Sequence, residues 1–580
     1  MKRASLLLAF VAALLMPATL QAQSVAYVSC SDGTVQQYDL LSVGDVTFSA
    51  DGAYLFIVAQ DGVTVTYPVS FVSAIEFVKP DGSQPQTLDT AFDVAFDAAD
   101  DNAYSEVTEK VTTAETATND YGDFVENYDD DEESKGTVTI TYGETSVAVT
   151  YSPTSLKGSA VLVQSGTATD VVAYGTKKVD YVLKGATSDG SFTLYSAKKS
   201  KLTLDGVSIR NSDGAAINMP KKTMGSTEYG GKTVYVVLKD GTTSTLEDGS
   251  TYSSAISGED MKGTIFAEGQ LIFSGKGTLN VKSNYGHGIA SDDYVRVRGG
   301  KHCPVINVNS AKDGFSINDY FLMCGGRVTV NAADEGINVG KGYVDIRAGQ
   351  LTVNSVDDAI TTPYDGEADG SFDSSVKPSI TLAGGLVKLT TTGPKGMGFK
   401  SSAAFTQTGG IAQVTVKGAG SKAINADADV TLTGGKLTAI VEGVPVYDDE
   451  ADDVSSAAGI RSKGALTLGG TTVALKATAD GGKGINSVGL VTVKAGSVSV
   501  VTNGVKYSSG GHSSRARGVT ADTGLTVSGG TLRVRSADDA VYTPASITLT
   551  SGVLHAFSTS GNALTGTLNQ QGGWLAETTK

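Results

Sequence analysis

Three acidic clusters, Lys312-Asp313-Gly314, Asp334-Glu335-Gly336 and Asp357-Asp358-Ala359, follow one another at intervals of 22 and 23 residues. In each, a carboxylate precedes a small residue, which precedes Phe315, Ile337 or Ile360. An interval of this length suits a coil of three short strands and three turns, and successive coils stack about 4.8 Å apart. At that separation two carboxylates repel by about 3.5 kcal/mol at an effective dielectric near 20, and by about 1 kcal/mol in bulk water. A cation is therefore drawn to the row. Oxygen-only ligands, with no histidine or thiolate among them, favour calcium over zinc or a late transition metal. Asp313, Asp334, Glu335, Asp357 and Asp358 are the metal-ligand candidates. A shorter row joining Asp292 and Asp293 with Asn318 and Asp319 is a candidate for a second ion. The plain alternative is that these are hydrophilic turn residues, since Asp and Gly are common in turns.

A calcium ion held by partly exposed carboxylates keeps positions for an outside oxygen, and a sugar carboxylate is its natural anionic partner. The long face of a solenoid suits an extended polymer. Lys312, Lys395, Lys400 and Lys422 fall near the same edge and are candidates for pairing with uronate groups; Tyr364, Tyr447 and Tyr507, in three insertions, are candidates for stacking on sugar rings.

The elements that must position these residues come from one recurring phrase, alternating apolar residues, a Gly-Gly turn, more alternation, then a small residue and an aliphatic or aromatic one. "KLTLDGVSIRNSDGAAIN", "YVDIRAGQLTVNSVDDAIT" and "LTVSGGTLRVRSADDAVY" are instances, and alignment on the small-apolar pair gives thirteen copies from Ala216 to Ala563. No segment of helical period intervenes. The expected fold is all-β, a parallel β-helix of about thirteen coils over residues 191–580, led by strands in 136–190. Ile217, Ile256, Ile289, Phe315, Ile337, Ile360, Phe399 and their later counterparts are expected to stack inside, and Asn218, Asn338, Asn425 and Asn486, one place on, to form an amide ladder. The insertions carrying Tyr447 and Tyr507 enter the same turn and are expected to overhang the same edge; the one carrying Tyr364 leaves from another corner.

The net charge of −17 looks hostile to acidic partners until it is located: seventeen acids and a single Lys110 lie between Asp81 and Ser134. That segment, residues 81–135, reads as a solvated acidic linker, and the rest of the chain is close to neutral. No basic patch supports a nucleic-acid partner. Residues 23–80 alternate β-branched and polar residues between DG turns and read as a small β module. Residues 1–22 combine Lys2 and Arg3, a short apolar run and Ala22, the pattern of a secretory signal peptide, so the product is expected to be exported, to the periplasm, cell surface or medium. No later run approaches the roughly 18 apolar residues of a membrane span. Cys30, Cys303 and Cys324 are too few for a disulfide scaffold and read as buried or half-buried fillers. Oligomeric state is not legible.

"SFTLYSAKKSKLTLDGVSIRNSDGAAIN", "KGTIFAEGQLIFSGKGTLNVKSNYGHGIASDDYVRVRGG", "AADEGINV", "SVDDAI" and "GPKGMGFKSS" together resemble the secreted bacterial carbohydrate-binding domain-containing proteins of the pectate-lyase-like β-helix superfamily, over roughly residues 180–565. The resemblance implies a right-handed β-helix binding calcium through aspartates in its turns, with affinity for plant-wall polysaccharide, polygalacturonate in particular. Related calcium-dependent pectate lyases use a lysine base; Asp313, Asp334, Asp357 and Asp358 look like their calcium site, with Lys395 the candidate base. The expected function is non-catalytic, calcium-dependent binding of acidic polysaccharide. The alternatives are a lyase acting on uronic-acid polymers, or an adhesion or structural protein in which calcium only stiffens the solenoid. His287, His302, His512 and His555 lie in no nucleophile motif.

Overall fold

A computed structural model describes residues 25–32, 34–39, 43–49, 53–59, 63–76, 134–158, 161–165, 169–299, 302–364, 366–367, 369–449 and 452–579. The expected signal peptide and all but the last two residues of the expected acidic linker lie outside the described residues. The described chain is all-β apart from a single 3-10 turn, Thr154–Leu156. It divides into two compact units, one of residues 96–418 with 424–428, the other of 1–95, 419–423 and 429–580. No helix among the described residues is long and apolar enough to cross a membrane.

In the first unit the coil strands pair in parallel with the strand one coil on, giving a β-helix-like solenoid, while Thr137–Tyr142 with Val147–Ser152, Val161–Ser165 with Val171–Gly175 and the hairpin Lys222–Met224 with Thr227–Tyr229 are antiparallel. His287–Ser291 pairs with Phe315–Ile317, that strand with Ile337–Val339, and that in turn with Ile360–Thr362 and Phe399–Ser401. The apolar member of each pair thus stacks in one inward column, Phe192, Ile217, Ile265, Ile289, Phe315, Ile337, Ile360, Phe399 and Ile424, all buried. The expectation for Ile256 is corrected here. Its side chain is 53% exposed, and Ile265 takes the column position. The phrase "SSAISGED" imitates the repeat but belongs to a loop pinned elsewhere, by the Ser254 N–H donating to Asp213 O and the Tyr252 hydroxyl to Asp248. Small residues precede the column where the coil is tightest. A Cβ on Gly336 would lie 2.2 Å from Val353 Cγ1 and 2.5 Å from Ala359 O, leaving room only for hydrogen.

Asn218, Asn338, Asn425 and Asn486 do not form the expected ladder. Asn338 pairs in register with Ser316 and Thr361, and Asn425 with Lys400, so other residue types interrupt the row. Asn338 instead donates to Asp313 Oδ2 at 3.3 Å, and Asn486 to Ser456 Oγ at 3.1 Å.

Within the second unit an apolar column of the same kind runs through Ile460, Ile485, Val519, Val541 and Leu564. The amino-terminal module forms two three-stranded antiparallel sheets, one ordered Val35–Asp39, Val25–Cys30, Val72–Glu76, the other Val43–Phe48, Tyr54–Ala59, Thr64–Pro68. Its buried residues Val28, Leu55, Ile57 and Tyr67 share a core with Val553, Trp574 and Ala576 of the last coil. Tyr67 stacks on Trp574 at 4.8 Å, Trp574 Nε1 donates to Thr66 O, and Arg533 Nη2 donates to Gln36 Oε1 at 2.7 Å. The module packs on the outward face of these strands, where Trp574 and Ala576 alternate with Leu575 of the inward row. The two insertions of this unit are hairpins, Val446–Asp448 with Asp453–Ser455 and Tyr507–Ser509 with His512–Ser514. They overhang the same edge as expected: His512 lies 3.6 Å from both Asp452 and Asp453, and its ring 5.9 Å from that of Tyr447. Cys30 and Cys324 are buried and Cys303 half-buried.

Candidate functional site

The acidic clusters form one row. The Gly288 N–H donates to Asp313 O, Gly314 N–H to Glu335 O, and Gly336 N–H to Asp358 O, each at 2.9 Å, so main-chain bonds between coils fix one acidic residue above the next. Ligand oxygens of Asp313, Asp334 and Glu335 come within 4.8 Å of one another, as do those of Glu335, Asp357 and Asp358, with Glu335 common to both trios.

Their environments differ. Asp313 is 3% exposed, with His287 Nδ1 at 3.3 Å and the Asn338 amide at 3.3 Å; Asp334 is exposed and Glu335 half-buried. Burial, then the Asp313 charge and then that of Asp334, pushes Glu335 up to about 8. Asp358 is fully buried, accepts the Met397 N–H at 2.8 Å and pairs with Lys400 Nζ at 2.7 Å. Burial raises Asp358, and Lys400 opposes the rise; burial raises Asp357 too, helped by the Asp358 charge. Thr361, in register with Asn338 and Lys400, is 1% exposed and its hydroxyl has no hydrogen-bond partner.

This donor set fits a hard cation at Asp313, Asp334 and Glu335. All its ligands are oxygens, one is exposed, and Glu335 carries the unrelieved repulsion a cation removes. Around Asp358 the Lys400 ammonium already supplies a positive charge.

Five of the expected ligand residues, Lys400, Lys422, Tyr364, Tyr447 and Tyr507, are placed otherwise. Lys400 is the counter-ion of Asp358, because a buried carboxylate is stable only when paired. Lys422 is buried, donating to Gly420 O at 2.8 Å and Ser455 Oγ at 3.1 Å. Tyr364 is buried in its own insertion, its hydroxyl donating to Glu367 at 3.1 Å and accepting the Asp373 N–H at 2.8 Å, its ring 5.2 Å from Phe372. Tyr447 donates to Asp452 at 2.5 Å within its hairpin. Tyr507 is half-buried in the neighbouring hairpin; it, Tyr447 and Lys422 belong to the unit that does not contain the acidic row. Lys312 is exposed, its ammonium 5.8 Å from the Tyr285 ring centre. Lys395 stands exposed in a turn at φ +59°, a left-handed conformation uncommon outside glycine. The lysine paired with the buried carboxylate of the row is Lys400.

The second row divides. Asp292 is held by Lys262 at 2.6 and 2.7 Å, in a group with Asp260 and Glu268, because adjacent turn residues point in different directions. Asp293 accepts from Gln270 Nε2 and is pushed up to about 6, by burial first and then by the Asp319 charge. Only Asp293 and Asp319 face each other.

Sequence reasoning missed the surface beside the acidic row. The phrase Val-Asn-Ser or Val-Asn-Ala recurs at Val308, Val330 and Val353, and its asparagines stack in register. Asn331 donates to Asn309 at 2.9 Å, and Asn354 to Asn331 at 3.0 Å, forming an exposed amide ladder. The ladder lines an open groove of about 700 Å³ with Lys282, Val356 and Thr392. The groove also takes in Ala311, Ala333 and Val356, residues that lead directly into the three acidic clusters.

The family described as carbohydrate-binding domain-containing protein matches residues 165–417, 375–503 and 478–563. A solved structure, described as the polysaccharide lyase-like protein from C. thermocellum in a gadolinium derivative, is 19% identical over 53% of this chain and 95% of its own, with a TM-score of 0.30. No curated protein matches the chain significantly.

Proposed function

Because this chain belongs to the carbohydrate-binding domain-containing protein family, we propose that it is an exported, non-catalytic protein that recognises acidic, pectin-like polysaccharide such as polygalacturonate, with calcium in the turns of its solenoid. We take that solenoid as a right-handed helix of about thirteen coils of the pectate-lyase-like kind.

One observation carries the reading: an exposed amide ladder and a row of carboxylates lie side by side along successive coils. Amides donate to and accept from sugar hydroxyls, and their repeat along the stacked coils suits a polymer of repeating units. Asp313, Asp334 and Glu335 would hold the calcium ion. When bound, such an ion neutralises these carboxylates and offers a coordination position to a uronate oxygen. Lys400 pairs with Asp358 without taking part. For Lys400, burial works against the charged form, but the charge and hydrogen bond of Asp358 together with the Asp357 and Glu335 charges outweigh it and raise the ammonium above its ordinary value. A protonated lysine is in the wrong state to abstract a proton, which speaks against Lys400 as a lyase base.

The test is retention of the purified chain on immobilised polygalacturonate, with calcium and with chelator, alongside absorbance of the unsaturated product a lyase would release. Calcium-dependent retention and a flat absorbance trace are expected. Retention indifferent to chelator would remove calcium from the reading. A rising trace would replace it with the lyase. A chelator-sensitive melting temperature without any glycan retention would leave only the stiffening role.

A further inference from the structure

A second cavity lies in the earlier coils of the same unit, enclosing about 200 Å³. That is below the roughly 300–1,000 Å³ of pockets that accept drug-sized ligands, so it admits a ligand of about one sugar ring. Asp170, Ser191, Asp213, Asn218, Met261 and Ile256 are among its walls.

The polar groups there have unspent capacity. Asn218 is 5% exposed, yet its Oδ1 accepts no hydrogen bond. A buried amide oxygen left in that state costs about 1–3 kcal/mol, which a ligand hydroxyl donating to it would recover. Asp170 accepts one bond, from Ser191 Oγ at 2.8 Å through Oδ1. Asp213 is fixed through its main chain, its N–H donating to Asn211 Oδ1 at 3.1 Å and its carbonyl accepting from Ser254 Oγ at 2.9 Å, which leaves its carboxylate for an outside donor. Burial raises Asp170, and the Asp213 and Asp189 charges add to the rise.

The charge balance selects the ligand. Of the nearby cations, Lys222 is committed to Glu259 at 2.8 Å and Lys262 to Asp292 and Asp260 at 2.6 and 2.9 Å. The cavity is therefore net negative and repels a uronate. Carboxylates and an amide without cations suit the vicinal hydroxyls of an uncharged sugar. Met261 and the exposed Ile256 add apolar surface for the C–H face of a pyranose. The cavity also exceeds what a lone cation fills.

We infer that this cavity is a binding pocket for a single neutral sugar residue, separate from the acidic groove and selecting against the charge that the groove accepts. It is independent of whether the groove binds polygalacturonate.

The experiment titrates the full chain with the methyl glycosides of galactose, glucose, mannose, xylose and arabinose, followed by ligand-observed magnetic resonance and calorimetry. At least one is expected to bind with a Kd on the order of 1 mM. Asp213→Asn, an isosteric change at an exposed position, and Asn218→Ala should each weaken that binding about tenfold. The same variants should leave polygalacturonate retention unchanged, and Asn331→Ala should leave the methyl glycoside affinity unchanged. Three results would overturn the inference: no methyl glycoside binds, binding ignores Asp213→Asn, or calcium competes with the sugar for the cavity. Failure of polygalacturonate retention alone would count against the groove and not against this pocket.

Discussion

Lys400 Nζ stands 2.7 Å from Asp358 Oδ2, and Asp358 is fully buried. The ion pair joins two neighbouring coils and turns what would be the most repulsive position in the acidic row into a structural link. Removing one partner leaves a buried charge uncompensated. Lys400→Met should therefore destabilise the fold by about 3 kcal/mol, read as a drop in denaturant midpoint. Adding Asp358→Asn to that variant should restore part of the loss, and an unchanged double-mutant midpoint would refute the pairing.

Glu335 supplies a pH signature. Its carboxyl is raised to about 8, so the folded chain binds that proton more tightly than the unfolded chain does. This contribution to stability is complete below the ordinary glutamate value and is lost as pH rises through about 8. Without calcium, the melting temperature should fall between about pH 5 and about pH 8. Glu335→Gln should flatten the slope, and calcium should offset the loss at the alkaline end by replacing the proton. A profile identical in the variant would show that Glu335 does not carry the titration.

The amide ladder is testable apart from stability. Asn331 makes both ladder bonds on an exposed face, so Asn331→Ala removes two hydrogen bonds at about 1 kcal/mol each or less. Polygalacturonate affinity is expected to fall about fivefold to tenfold, with the melting temperature shifted by only a few degrees. Equal affinity would place the polymer elsewhere.

Gly336 tests the tightness of the coil. Gly336→Ala puts a methyl against Val353 Cγ1 and Ala359 O, a clash costing about 1–3 kcal/mol. Gly225, with nothing within 4 Å of a Cβ, tests a different matter, the strain of its φ of +61°. Gly225→Asn should cost less than Gly336→Ala, since asparagine tolerates that region.

Trp574 holds the amino-terminal module. Trp574→Ala removes the stack on Tyr67 and the bond to Thr66 O, and should cost about 3–5 kcal/mol. Limited proteolysis should then cut within the module itself. Unchanged protection would show that the remaining contacts suffice.

The acidic row was legible because its register follows from period alone. Asp313, Glu335 and Asp358 each precede a small-apolar pair, and a parallel coil aligns equal positions by main-chain bonds whatever the side chains are. Ile256 was misread for the same reason, since a loop can imitate the phrase without the pairing that defines it. The asparagine ladder was equally periodic, in "NVNS", "TVNA" and "TVNS", but a neutral residue raises no electrostatic question and passed as ordinary strand surface.

Repetition in the sequence thus determined the all-β solenoid character, the inward column and the stacking of carboxylates, because all three depend only on spacing along the chain. Tertiary structure decided the rest. It paired Lys400 with Asp358, separated Asp292 from Asp293, buried Lys422 and Tyr364, and seated the amino-terminal module on the last coil. Each depends on side-chain direction or on contacts between residues distant in sequence, such as Thr66 with Trp574. Period fixes where a residue sits in a coil, but only packing fixes where its side chain points and what it meets.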